Sequence, residues 1–160
     1  MSQPEPAKAN NYLEEHIQCL QRSLKHWRGS GFKENGDTAF LARELYHAPF
    51  ALLSHGNQDD PIINYANRTA QQLFELDWHA FIKLSSRLSA EPVARAERET
   101  LLKRVSENGF ISDYSGVRIS STGQRFMIHQ ASVWNLLDQH GKACGQAAMF
   151  SNWRNLDTVR

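Results

Sequence analysis

Residues 109–153 read GFISDYSGVRISSTGQRFMIHQASVWNLLDQHGKACGQAAMFSNW, the longest stretch of the chain in which hydrophobic alternation persists from one segment to the next. Within it Phe126, Ile128, Gln130, Ser132 and Trp134 share one parity, and Met127, His129, Ala131 and Val133 share the other. That two-residue period belongs to a strand, whose side chains alternate between faces. Ser121-Thr122-Gly123 marks a turn before this strand, and Asp138-Gln139-His140-Gly141 marks one after it. With Phe110 to Ser120 before and Cys144 to Trp153 after, the stretch predicts a three-stranded antiparallel meander with short loops. Three strands bury too little apolar surface to stand alone, so the remaining chain must cover one of their faces.

The composition suits a single domain of 160 residues with a proper core. Its apolar fraction of 41% and charged fraction of 22% are those of a soluble globular protein. A net charge of +1 supplies no overall field for nucleic acid or an anionic membrane. No apolar run reaches the ~20 residues of a membrane span. Met1-Ser2-Gln3-Pro4-Glu5-Pro6 has neither the basic start nor the apolar stretch of a signal peptide, and a cytoplasmic protein is expected. Cys19 and Cys144 form no CxxC and read as free buried thiols, a redox pair only if they meet in space.

Residues 1–10 are polar, contain two prolines and predict a disordered lead. Residues 11–47 predict N-terminal helices. Leu13, Ile17, Leu20, Leu24 and Trp27 recur at alternating spacings of four and three, a narrow apolar seam. Such a seam serves either a homodimer contact or docking on its own domain. Asp37-Thr38 caps a second helix through His47, and Pro49 blocks its continuation.

Residues 48–154 predict the main domain. Phe50 to His55 and Ile62 to Ala66 read as two strands around the turn Asn57-Gln58-Asp59-Asp60-Pro61, and Asn67 suits a helix N-cap. Trp78, Phe81 and Ile82 lie at helix spacing, so one face there is aromatic and buried. Pro92 opens a helix running to Asn108-Gly109, with Ala94, Leu101 and Val105 on one side and an Arg95, Glu99, Lys103 charge ladder on another. Glu97 and Glu99 interrupt its basic residues, so this is a solvated face rather than a nucleic-acid surface. The resulting order is that of an α+β domain with a five-stranded antiparallel sheet.

YANRTAQQLFE, residues 65–75, resembles the segment of PAS domains where a strand ends at an asparagine and a short helix begins. Residues 84–150, from LSSRLSAEPV through DYSGVRISSTGQRFMIHQASVWNLL to GQAAMF, resemble the MEKHLA family. That PAS-related family comprises short bacterial proteins and the C-terminal domain of plant class III homeodomain–leucine-zipper transcription factors. The resemblance covers Leu45 to Trp153. It implies a PAS-like fold with helices on one face of the sheet, and a sensory or interaction module whose helices and sheet enclose a ligand. It carries over no catalytic residue set.

Under that fold, threading by the turns places Arg118, Ile128, Gln130, Ala147 and Met149 toward the helix–sheet cavity, a parity that a one-residue shift would reverse. Trp78, Phe81 and Trp134 complete the candidate ligand contacts as aromatic surfaces. A guanidinium in a semi-enclosed pocket needs an anionic or carbonyl partner. For Arg118 that partner is a ligand or, structurally, Asp113, Glu97 or Glu99. The resemblance also brings cofactors into view. A LOV-type flavin adduct requires a cysteine between Leu76 and Leu88, where none occurs, and the long helix holds no histidine for haem, so neither is expected. Non-covalent binding of an unidentified small molecule stays open. The seven histidines show no metal-ligand spacing, and GxSxG, P-loop and GxGxxG motifs are absent. The expectation is therefore a ligand-responsive module signalling through a dimer or a separate output protein. The other readings are a small enzyme acting on a polar metabolite in the same cavity, or a purely structural dimerisation domain.

Overall fold

The computed structural model describes residues 3–32 and 37–158. Two N-terminal helices, α1 (Glu14–Arg28) and α2 (Thr38–Tyr46), precede β1 (Ala51–His55) and β2 (Ile63–Ala66). Short helices α3 (Arg68–Phe74) and α4 (Trp78–Phe81) and a 3-10 turn at Ser86–Ser89 lead to the long α5 (Pro92–Asn108). Then come β3 (Phe110–Ile119), β4 (Gln124–Leu137), β5 (Ala143–Phe150) and β6 (Asn152–Thr158). All pairings are antiparallel, in the order β2-β1-β5-β4-β3.

The sheet has six strands rather than five, because the chain continues past Ser151 into β6. The 14-residue β4 is long enough to pair with β5 along Ser132–Leu137 and with β6 along Gln124–His129. Between these halves Gln130 adopts a left-handed φ of 52°, and the pairing with β3 shifts register there. An extra residue in one strand reverses the parity of everything beyond it. Phe126 and Ile128 before the bulge therefore share a face with Ala131 and Val133 after it, while Trp134 and Leu136 turn to the other face.

Helices cover both faces, not one. Against the first, α3 and α5 bury Ala70, Phe74, Leu101 and Val105 on Phe126, Ile128 and Val133. Against the second, α1 buries Ile17, Leu20 and Leu24 on Leu52, Trp134, Leu136 and Ala147. Each buried leucine contributes roughly 1.5–3 kcal/mol, so this docking is a substantial part of the fold. Polar bonds fix its register: Trp134 Nε1 donates to Leu20 O (3.3 Å), Trp27 Nε1 to Asn135 O (2.9 Å), and Leu137 N to Ser23 Oγ (2.8 Å). Gly109, at φ 83°, ends α5 directly beneath Trp27, whose ring lies 2.3 Å from where a β-carbon would be.

The lead, expected to be disordered, packs from Gln3 onward, with Met1 and Ser2 outside the described residues. Pro6 is buried, Gln3 O accepts from Trp78 Nε1 (2.9 Å), and Glu5 Oε1 accepts from Tyr46 Oη (2.9 Å). A 3-10 segment, Lys8–Leu13, then precedes α1, which starts at Glu14 rather than Asn11. The other local signals produce their elements: Asp37 and Asn67 cap α2 and α3 through their side chains, and Pro92 opens α5. Asn67 is wholly buried, accepting from Leu52 N and Ala70 N and donating to Leu45 O and Phe50 O.

Candidate ligand cavity

Between α5 and the first sheet face lies a cavity of about 80 Å³. Alternation along β1 brings Leu53 and His55 to it, and β4 supplies Ile128, Ala131 and Val133. Gln146, Ala148 and Phe150 come from β5, Tyr114 and Arg118 from β3, Arg98 and Leu101 from α5, and Ser86 and Ser89 from the 3-10 turn. Most of this lining is apolar, with a cluster of polar groups at one part of it.

Two guanidinium groups dominate the electrostatics. Arg98 and Arg118 are only 6% and 8% exposed. The Arg118 Nη1 donates to Val117 O (2.8 Å), and its guanidinium carbon stands 5.4 Å from the centre of the Tyr114 ring, a cation–π contact. Gly116 makes this possible, since a β-carbon there would lie 2.0 Å from Tyr114 Oη. Arg98 donates through Nη2 to Ser86 Oγ. Burial, and then the charge of Arg118, pull the Arg98 pKa down to about 10, leaving it a cation at neutral pH. Among the described residues the ion pairs are Arg87 with Asp60 and Arg125 with Glu91. Neither cavity arginine has a carboxylate partner, and Asp113, Glu97 and Glu99 do not pair with Arg118. A buried charge in this condition is costly.

Two further polar atoms in the lining are buried without a partner, Tyr114 Oη and His55 Nε2. His55 Nδ1 lies 2.7 Å from Gly56 O, a carbonyl that can only accept, so the proton of the neutral ring sits on Nδ1. Burial depresses the His55 pKa, and the neutral ring presents a bare lone pair at Nε2.

Of the expected ligand contacts, Arg118, Ile128 and Ala147 line this cavity. Ala147 does so from a position whose side chain packs with Trp134 on the opposite face, and its neighbour Gln146 takes the inward place. The Gln146 amide is bonded to Asn135 Oδ1 (3.0 Å) and Leu102 O (3.3 Å). Gln130 is exposed at the bulge, not inward. Trp134 and Met149 belong to the α1 face, because the bulge reverses the parity assumed for β4 and β5 runs one residue out of the expected register. Trp78 packs near Tyr65 on that same side (5.9 Å between ring centres). Phe81 is core beside Phe74 (5.3 Å) and outside the cavity lining.

The seam residues Ile17, Leu20 and Leu24 are fully buried within the chain, with Leu13 and Trp27 packed at the edge of the same cluster. A dimer using this seam would require α1 to leave its sheet or exchange between copies. Arg98, His55 and Tyr114 escaped the sequence reading. Arg98 was legible in principle, since it occupies the Ala94, Leu101, Val105 stripe of α5, where a charged residue stands out.

Elsewhere Cys19 and Cys144 meet where α1 crosses β5. Cys19 Sγ donates to Leu137 O (3.6 Å), and burial together with the Cys19 thiol pushes the Cys144 thiol up to about 11. His16 Nε2 lies 2.9 Å from Ser54 Oγ, but the Ser54 hydroxyl is 2.5 Å from Asn64 Oδ1, an acceptor rather than an acid. This half-buried trio lacks the carboxylate of a nucleophilic triad. Among the described residues no three His, Cys, Asp or Glu side chains gather as metal ligands, and no helix is long and apolar enough to cross a membrane.

An antiparallel sheet with helices enclosing a cavity on one face is a PAS-like fold, and solved structures share it. A PAS domain from Colwellia psychrerythraea aligns with a TM-score of 0.62 at 13% identity, covering 74% of this chain and 93% of that one. A variant of Vivid aligns at 0.59 and 16% identity, covering 85% and 99%. The LOV domain of a blue-light activated histidine kinase from Erythrobacter litoralis aligns at 0.53 and 21%, covering 70% and 100%. At such identities the likeness is one of fold. The MEKHLA domain profile matches residues 14–155, and the chain belongs to that family. Homeobox-leucine zipper protein HOX10 of Oryza sativa subsp. indica is 27% identical over 122 residues, which are 76% of this chain and 14% of that protein. Homeobox-leucine zipper protein ATHB-14 of Arabidopsis thaliana is 26% identical over 127 residues, 78% of this chain and 15% of that protein. The chain thus spans about a seventh of the length of these relatives.

Proposed function

We propose that this chain is a PAS-like sensory module that admits a small polar molecule to the cavity between α5 and the sheet. The observation that carries this reading is the pair of buried arginines, Arg98 and Arg118, facing one cavity with no ion-pair carboxylate among the described residues. A filled structural core has no use for such groups, whereas a binding site holds them ready for its ligand. Filling the site stabilises one arrangement of the sheet over another, by an amount set by the ligand's differential affinity. The helices α1 and α2 on the far face are placed to respond, because adjacent residues of β4 and β5 face opposite ways: Val133 and Ala148 toward the cavity, Trp134 and Ala147 toward α1. A separate protein or second copy reading that change completes the signal.

The test is thermal unfolding of the purified chain against a panel of small polar metabolites, repeated with Ala148→Leu, which fills the cavity. Stabilisation by a panel member that disappears in the filled variant supports the reading. Failure of every member, with unchanged melting in both proteins, removes it.

A further inference from the structure

We infer that the ligand of this cavity is a small 2-hydroxycarboxylate of glycolate size. The inference rests on the sensory reading above and narrows it by size, charge and hydrogen-bond direction.

Size comes first. Ligand sites for drug-sized molecules occupy roughly 300–1,000 Å³, and an apolar cavity of about 150 Å³ admits benzene. The present cavity is about 80 Å³, room for a guest of a few non-hydrogen atoms. Flavin and haem are far larger than this space.

Charge comes second. A guanidinium carries five N–H donors. Arg98 directs one bond to Ser86 Oγ and Arg118 one to Val117 O, and among the described residues no carboxylate lies within ion-pair distance of either. The two cations also repel each other, as the depression of Arg98 by Arg118 shows. One anion between them removes the repulsion and accepts from both, and Tyr114 Oη adds a neutral donor beside them. A carboxylate suits this mixed lining better than phosphate does. Phosphate presents oxygen on every side, while Leu53, Ile128 and Val133 offer it only hydrocarbon.

Hydrogen-bond direction comes third. Neutral His55, a lining residue with its proton committed to Gly56 O, carries a lone pair rather than a donor at its unpartnered Nε2. A bare carboxylate repels that lone pair, but a hydroxyl beside the carboxylate donates to it. The 2-hydroxy acid therefore satisfies both kinds of orphaned group at once.

Isothermal titration of the full chain at fixed ionic strength with glycolate, acetate, glycolamide and inorganic phosphate tests this. Glycolate is expected to bind, acetate and glycolamide each about tenfold or more weaker, and phosphate not at all. Arg118→Met, which keeps the stem packed on Tyr114, is expected to lose about tenfold or more for glycolate, and Ala148→Leu to abolish binding while staying folded. Glycolamide matching glycolate overturns the anion assignment, and acetate matching it overturns the hydroxyl. Preferential phosphate binding overturns the carboxylate. In those three cases a molecule still enters the cavity and the sensory reading survives. Glycolate affinity that is untouched by both variants overturns the site itself. No binding by any of the four overturns this inference, and the metabolite panel with Ala148→Leu then decides whether the sensory reading falls with it.

Discussion

The two faces of the sheet are built from the same strands and differ in what they leave undone. On the α1 face nearly every buried polar group is used by the fold: Trp134 Nε1, Trp27 Nε1 and Ser23 Oγ all have partners across the helix–sheet contact, with Tyr65 Oη the exception. On the α5 face His55 Nε2 and Tyr114 Oη are buried without a partner, and Arg98 and Arg118 line the cavity with no ion-pair carboxylate among the described residues. One face is stabilised by its own contacts, and the other, on the proposed reading, keeps groups available for a molecule that is not part of the chain. The helix whose apolar seam offered a dimer contact thus sits on the well-packed face, and the candidate cavity sits on the other.

The comparison breaks most visibly if the α1 face is not the stabilising one. Trp134→Ala is expected to cost about 3–5 kcal/mol in chemical denaturation, because it empties a fully buried position and leaves Leu20 O without its donor. A loss below about 1 kcal/mol would mean that α1 is not firmly docked.

Acid should attack the same face. His16 is buried on it, stacked on Tyr65 (5.5 Å), with its pKa lowered to about 4 from 6.5 by burial. Between those values the unfolded chain takes up the proton and the folded chain does not. Stability from this group is therefore complete above pH 6.5 and falls as the pH drops toward 4, by about 3 kcal/mol. His55 acts in the same direction. Denaturation curves of His16→Phe across this window are expected to lack about one proton's share of the slope.

On the α5 face the sign reverses. Arg118→Met without ligand is expected to be neutral or to stabilise by about 1 kcal/mol, since it removes a buried cation that faces a second cation and has no ion-pair carboxylate among the described residues. Clear destabilisation would mean that its bond to Val117 O and its contact with the Tyr114 ring outweigh the cost of the buried charge. The smallest effect concerns the bulge that separates the faces. Gln130→Gly is expected to stabilise by about 0.5 kcal/mol, relief of the left-handed backbone slightly exceeding the entropy of the added glycine.

Much of this arrangement was readable from residues. The alternation of residues 109–153, the caps at Asp37 and Asn67, and Pro92 each specify a local conformation by a short-range mechanism, and each produced its element. The faces were harder. The bulge falls at Gln130, a residue with no special preference for left-handed backbone, so nothing in β4 announced the reversal that sends Gln130 outward and Trp134 to α1. A seam such as Leu13 to Trp27 has one periodicity whether it meets a second helix or a sheet, and only the fold shows which surface is waiting. The strand Asn152–Thr158 was missed past Trp153 because it lacks clean alternation and depends on the free half of β4's edge. The cavity needs three separate elements, α5, β3 and β1, to bring Arg98, Arg118, His55 and Tyr114 together, a conjunction that no local pattern records.

Hydrogen–deuterium exchange of the full chain with and without saturating glycolate measures the link between the faces directly. The account expects slower exchange in β3 and α5 around the cavity, accompanied by a change in α1 across the sheet. Protection confined to the cavity face, with Glu14–Arg28 unchanged, would contradict it: the molecule would bind, but the helix opposite would not register it.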